Sequence, residues 1–224
     1  MIFGALGDIH ADHTSVRTIM KRHANVPFWI CVGDVGDDEG RYESPPAPLY
    51  WIKGNNEDFD FVAAAAHAEP VVNLHLIPNG RAVTVDGLRV AGLGGTFAPT
   101  WYETPAAELP SGPVGRARTR DDKRRHFVRE EVDACKGLRS VDLFLTHEAP
   151  RPFFVGGRGR SHDAGKTPVN EVLAAMKPRL HLFGHHHRFD DKVRQGVRSV
   201  CLEVVSQSYL LIDSGSMEFE KRTT

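Results

Sequence analysis

Seven residues of this chain have side chains suited to holding a metal ion, and each closes a short apolar run. Asp8 and His10 follow "IFGAL", Asp34 follows "FWICV", and Asn55 follows "LYWI". His147 follows "VDLFL", and His185 and His187 follow "LHLF". All seven are oxygen or imidazole ligands, with no thiolate among them. That donor set suits Mn, Fe, Zn, Ni or Mg and not a cysteine-based structural zinc. Seven ligands are too many for one ion with an open position and about right for two, with a carboxylate shared between them.

Taken singly, each residue has a plainer reading. Asp8 and Asp34 suit helix caps or turns. Asn55 sits in Gly-Asn turn composition. His147 suits a hydrogen-bonded core histidine. The metal reading rests on the set, because the plain readings would require several independent coincidences.

The elements that must position these residues are legible in the hydrophobic pattern. Residues 2–6, 28–32, 49–52, 74–77, 81–85, 88–93, 141–145 and 180–183 read as strands. Asp86-Gly87 gives a hairpin signal. Val16, Ile19, Met20 and His23 share one helix face, and an Ala-rich stretch over 57–67 reads as a second helix. A third helix is expected over Thr119 to Cys135, with Thr119 and Asp122 as a capping box and Gly137 as its end. A fourth starts at Thr167-Pro168. Residues 96–118 read as a long surface loop, and 193–220 as three strands. In open α/β sheets, ligands collect beyond the carboxyl ends of strands, which is where the seven residues fall.

Composition bounds the rest. The chain has 224 residues, enough for a sizeable core, and we expect one domain over 1–224. Lys+Arg 28 against Asp+Glu 29 excludes attachment to nucleic acid or membrane by bulk charge. Three cysteines without a CxxC pattern fit a reducing compartment, so a cytoplasmic location is expected. The N-terminus carries no signal-peptide pattern, and no apolar run is long enough to span a membrane.

The ordered blocks "GDIH", "GDVGD", "GNNE", "TH" and "GHHH" resemble the signature of calcineurin-like metallophosphoesterases. That signature runs DxH, GDxxD, GNH followed by Asp or Glu, a lone His, and GHxH, and here it covers positions 7 to 187. The resemblance implies an α/β fold of two facing mixed β-sheets flanked by helices. It implies that Asp8, His10 and His187 hold one ion, that Asn55, His147 and His185 hold the other, and that Asp34 bridges them. A hydroxide between the ions would be the nucleophile on a phosphoester. Manganese is the expected ion, with iron, zinc, nickel, cobalt and magnesium compatible.

The chain departs from the signature at Asn56, where many members have a histidine proposed to protonate the leaving oxygen. Asp37 is the residue expected to orient that position. An amide cannot act as a general acid, so Asn56 is expected to hydrogen-bond a phosphate oxygen or to hold Asp37. Asp38 stands where the phosphatase branch usually has Arg. These departures resemble small bacterial and archaeal phosphodiesterases of the family. "THEAPRPF" also has a general resemblance to the RNA lariat debranching branch, which usually keeps the missing histidine.

The expected function is hydrolysis of a small nucleotide or related phosphodiester. Phosphomonoester hydrolysis, or a catalytically silent binding scaffold on the same fold, are the alternatives. Arg151, Arg158, Arg160 and Lys166 are candidate phosphate-binding cations. Their loop is equally consistent with a solvated surface. Trp101 and Tyr102 are expected to pack, and His13 to begin a helix or lie on the surface. His162 is as readily loop decoration as a substrate contact, and His186 carries no metal role. A small phosphoester is the expected partner. Nucleic acid enters only as substrate, no membrane is involved, and the oligomer is left open.

Overall fold

The computed structural model describes residues 1–37, 39–112, 121–156 and 161–224. One six-stranded sheet is built around four parallel strands: β1 (Ile2–Leu6), β2 (Trp29–Cys31), β3 (Leu49–Trp51) and β4 (Leu74–Leu76). The other has its own parallel set: β6 (Leu88–Leu93), β9 (Leu143–Thr146), β12 (Leu180–Phe183) and β14 (Val197–Cys201). Antiparallel strands complete both. β5 (Ala82–Val85) and β13 (Asp190–Arg194) flank the second sheet. β15 (Ser208–Asp213) and β16 (Phe219–Thr223) extend the first, so the strand orders are β16-β15-β1-β2-β3-β4 and β13-β14-β12-β9-β6-β5. β7 (Thr96–Phe97) and β8 (His126–Phe127) form a separate parallel pair, and β10 (Phe154–Val155) and β11 (His162–Asp163) a short antiparallel one.

Period-two alternation sorts the side chains into layers. In β2, Ile30 points between the sheets while Trp29 and Cys31 point outward. Leu143 and Leu145 of β9 join Leu180 and Leu182 of β12 in the central layer, facing Phe3, Ala5 and Ile212 from the first sheet. Helix α1 (His13–Arg22) covers the outer face of the first sheet through Val16, Ile19 and Met20, with α2 (Phe59–Ala65) beside it. Helices α3 (Arg129–Gly137) and α4 (Thr167–Met176) cover the second through Val132, Cys135, Val169, Val172 and Leu173. The result is the four-layer α/β fold of two facing mixed sheets flanked by helices that the resemblance implied.

Three boundaries differ from the sequence reading. The helix expected from Thr119 begins ten residues later, at Arg129, where the Glu131 carboxylate accepts the Val128 N–H at 3.0 Å. Asp122 does cap, but it caps a single 3-10 turn over Lys123–Arg125. The chain then extends through β8 to pair with β7, and an extended pair cannot continue a helix. The expected 96–118 loop accordingly contains β7 and a 3-10 turn at Ala106–Glu108. Residues 113–120, including Thr119, lie outside the described residues. The tail holds four strands, because β13 starts at Asp190 and pairs with β14 across a turn at Gln195-Gly196. Asp86 and Gly87 form the expected hairpin, both with positive φ (44° and 82°), and Val85 pairs with Leu88. Among the described residues no helix is long and apolar enough to cross a membrane.

Leu182 is fully buried in the layer shared by both sheets. Truncation to Ala removes its packing on both sides, so Leu182→Ala should lower unfolding free energy by about 2–5 kcal/mol. Urea denaturation of metal-stripped wild type and variant, with equal slopes, measures this.

Candidate metal centre

The loops beyond the carboxyl ends of β1, β2, β3, β9 and β12 converge. Asp8 and Asp34 are each 1% exposed, deep for carboxylates. Asp8 Oδ2 is 2.9 Å from His187 Nε2 and 3.8 Å from His10 Nε2. Asp34 Oδ2 is 3.8 Å from His10 Nε2 and 3.6 Å from His147 Nε2. Two compact groups result, Asp8–His10–His187 and Asp8–Asp34–His147, with ligand atoms within 4.8 Å of one another in each. Asp34 thus stands between imidazoles of both groups, and Asp8 belongs to both as well.

The remaining two candidates lie against the second group. Asn55 Oδ1 is 3.0 Å from His147 Nε2, and the His185 ring centroid is 5.0 Å from that of His147. The structure therefore brings all seven candidate ligands into one cluster.

Backbone geometry is specialised for this convergence. His10, Asp34, His185 and His187 all have positive φ, between 49° and 68°, a region non-glycine residues seldom occupy. Two glycines make room for the carboxylates. A Cβ on Gly54 would stand 1.9 Å from Asp34 Oδ1, and one on Gly184 would stand 2.3 Å from Asp8 Oδ1.

The donor chemistry fits divalent cations. His147 Nδ1 lies 2.9 Å from the Val32 carbonyl and donates to it. That contact directs Nε2 at Asn55 Oδ1, 3.0 Å away, so in the neutral ring its lone pair is presented beside a second ligand atom. His10 Nε2 and His187 Nε2 stand 3.1 Å apart beside the Asp8 carboxylate. Nitrogen and oxygen ligand atoms gathered at such spacing suit a shared divalent cation.

The electrostatics agree. Burial pulls the His147 pKa down, but the Asp34 and Asp8 carboxylates outweigh it and raise it. Burial works in the opposite sense on Asp34, and the charges of His147 and His10 with the Asn56 donors hold it below the usual carboxylate range. The hydrogen bond to Asp8 raises His187 against the effect of its burial. Burial, and the neighbouring His147, push His185 down to about 3, leaving a neutral, ligand-competent ring.

Asn56 does something other than hold Asp37. Its Nδ2 donates to Asp34 Oδ2 at 2.8 Å, and its backbone N–H donates to Asp34 Oδ1 at 2.7 Å. The Asn55 N–H adds a third bond to Oδ1, also at 2.7 Å. Asp37 is turned instead to the Arg41 guanidinium and to the N–H groups of Glu39 and Arg41. Arg151 is paired with Asp163 through Nε at 2.8 Å and is half exposed. Lys166 lies near enough for its charge to contribute to lowering His185 and His186. Arg158, Arg160 and Asp38 lie outside the described residues. His13 opens α1 but is buried, with Nε2 3.0 Å from the Arg41 carbonyl. His162 is exposed on β11, His186 packs on the Phe153 ring at 4.7 Å, and Tyr102 packs in the outer core.

Sequence reasoning assigned no role to Glu57. Its carboxylate, 1% exposed, accepts from the Val35, Gly36 and Gly54 N–H groups and from Tyr42 Oη at 2.6 Å. It ties the loop after β2 to the loop after β3. Burial, with Asp34 nearby, raises its pKa to about 7. The signal was present as the final letter of "GNNE".

The sequence model of the calcineurin-like phosphoesterase family matches residues 1–189. The chain belongs to this family of metal-dependent phosphoric ester hydrolases. An uncharacterised Haemophilus influenzae protein is 24% identical over 200 residues, covering 81% of each chain. The lariat debranching enzyme of Schizosaccharomyces pombe is 26% identical over 200 residues, covering 80% of this chain but 42% of that enzyme. Among solved structures, a Thermus thermophilus protein superimposes with a TM-score of 0.67 at 14% identity, covering 99% of this chain and 98% of that one. A dimetal phosphatase from Danio rerio gives 0.57 at 13% identity, covering 100% and 98%. At such identities the structural matches establish the fold.

Ion binding should stabilise the folded chain by about 2.7 kcal/mol once free ion exceeds its Kd a hundredfold. Metal-stripped protein should therefore gain melting temperature with added Mn. Gly54→Ala, which pushes on Asp34, should lose most of that gain and most of the bound metal by elemental analysis. An unchanged metal content would remove the role assigned to this glycine.

Proposed function

We propose that the chain is a dinuclear-metal phosphodiesterase acting on a small nucleotide diester or a related substrate. The observation that carries this reading is the pair of buried carboxylates, Asp8 and Asp34, ringed by imidazoles whose Nε2 atoms face them. In this reading Asp8, His10 and His187 hold one ion, Asn55, His147 and His185 hold the other, and Asp34 spans both. Bound divalent ions supply phosphate charge neutralisation and a water of lowered pKa. Manganese is the ion we would expect first.

The chain's own groups do the positioning. Asn55 and Asn56 fix the Asp34 carboxylate with three donors, so its outward geometry is set before substrate arrives. His185 N–H does the same for Asp8, at 3.2 Å to each oxygen. Lys166 supplies positive charge at the rim.

Two features favour a diester over a monoester. Asn56 is a neutral amide committed to Asp34, so the position provides no general acid. The nearby described cations are partly neutralised, Arg151 by Asp163 and Lys166 by Glu148. A diester monoanion demands less countercharge than a monoester dianion. The lariat debranching relative, itself named for action on a branched nucleic acid, is compatible with this choice.

Metal-stripped protein refilled in turn with Mn, Fe, Co, Ni, Zn or Mg should be assayed on aryl diesters, cyclic nucleotides and aryl monoesters. Diesters should show the higher kcat/KM. Asp34→Asn should reduce turnover by roughly a hundred- to a thousandfold, the size expected when a charge-organising group is lost. Asn56→His should raise monoester turnover. Wild type that cleaves nothing with any ion would favour a catalytically silent binding scaffold instead.

A further inference from the structure

Glu148 follows His147 directly, and its carboxyl is only 4% exposed. Such a group ordinarily gathers several donors. Here Oε1 accepts the Phe97 N–H at 3.2 Å and lies 3.8 Å from Lys166 Nζ, while Oε2 has no partner among the described residues. The lysine is held at its base instead. Its N–H donates to the Ala149 carbonyl at 2.8 Å, and it bridges Pro150 in parallel. Lys166 immediately precedes α4, and its side chain is 27% exposed. One ammonium is therefore held beside a buried carboxylate by a long ion pair and not a saturated hydrogen-bond network, near enough to the metal centre for its charge to lower His185.

We propose that Glu148 is a positioning residue that aims the Lys166 ammonium at the phosphate of the substrate. This rests on the phosphodiesterase reading above. The long contact matters, because a tight pair surrounded by further acceptors would bind the ammonium to the protein. At 3.8 Å the carboxylate restrains Lys166 by charge while leaving its protons free to reach a phosphate oxygen. The Phe97 N–H, on β7, holds the same oxygen that faces Lys166, so the segment after β6 fixes that oxygen in place.

The test is a double-mutant cycle on the Mn-loaded enzyme with an aryl diester. Lys166→Met should raise KM by roughly tenfold or more, the loss expected for one charge-assisted hydrogen bond. Glu148→Gln, which keeps the shape and the Phe97 contact, should raise KM with metal content unchanged. The double variant should match Lys166→Met alone, since Glu148 acts through the lysine. Glu148→Asp should fall between wild type and Glu148→Gln, and it replaces Glu148→Gln in the cycle if that variant does not fold. Additive effects, or a change in metal content or melting temperature with KM unmoved, would overturn the proposal. Wild type that cleaves no diester would instead overturn the reading beneath it, so the two failures are distinguishable.

Discussion

Two carboxylates held almost out of water, at the ends of neighbouring parallel strands, are the constraint on which the rest of this molecule depends. An ionised carboxyl in that position is costly unless charge or donors compensate it. Asp34 meets this requirement with three N–H donors from Asn55 and Asn56, and Asp8 with the His185 backbone and the His187 ring. The left-handed backbone at His10, Asp34, His185 and His187 follows from the same demand, as do the bare Cα positions of Gly54 and Gly184. Strain is concentrated where the chain must turn ligands into one small volume.

A second tier of buried acids holds those loops in register. Glu57 gathers the N–H groups of Val35, Gly36 and Gly54, so the strand ends carrying Asp34 and Asn55 move together. Lys53 adds a tie to the β7–β8 pair and the turn before it by donating to the Arg124 and His126 carbonyls at 2.9 and 3.1 Å. The His147 ring crosses between the sheets in the opposite direction, from the end of β9 to the Val32 carbonyl beyond β2. The centre is thus a seam, and its ligands from each sheet are braced by groups from the other.

Much of this was legible before the structure. Short apolar runs ending in polar residues marked the central strands, because a parallel strand covered on both faces has no polar side to interrupt it. The five-block order also placed the ligand candidates. The region 119–137 was misread because Thr119 and Asp122 satisfy a local capping pattern, whereas at the actual start Val128 has no capping side chain and only Glu131 reaches back. Only the pairing of His126–Phe127 with Thr96–Phe97, some thirty residues apart, selects the later start. Asp37 illustrates the same limit. Its partner Arg41 is four residues away, but nothing local indicates that this pairing wins over Asn56.

By itself the sequence determined the class of chemistry, since residue types and their strand-end spacing are chain properties. It also determined the layering, since apolar periodicity dictates which face is buried. Tertiary structure decided what each polar side chain does with its hydrogen bonds. Asn56 could have faced Asp37 or a phosphate, and it faces Asp34, because the loops after β2 and β3 are brought together by Glu57. Glu148 could have been an ordinary surface acid beside a ligand. It is instead buried, accepting the Phe97 N–H, with Lys166 beside it. Contacts of this kind join residues far apart in the chain, and their energies depend on burial, which a linear pattern does not encode.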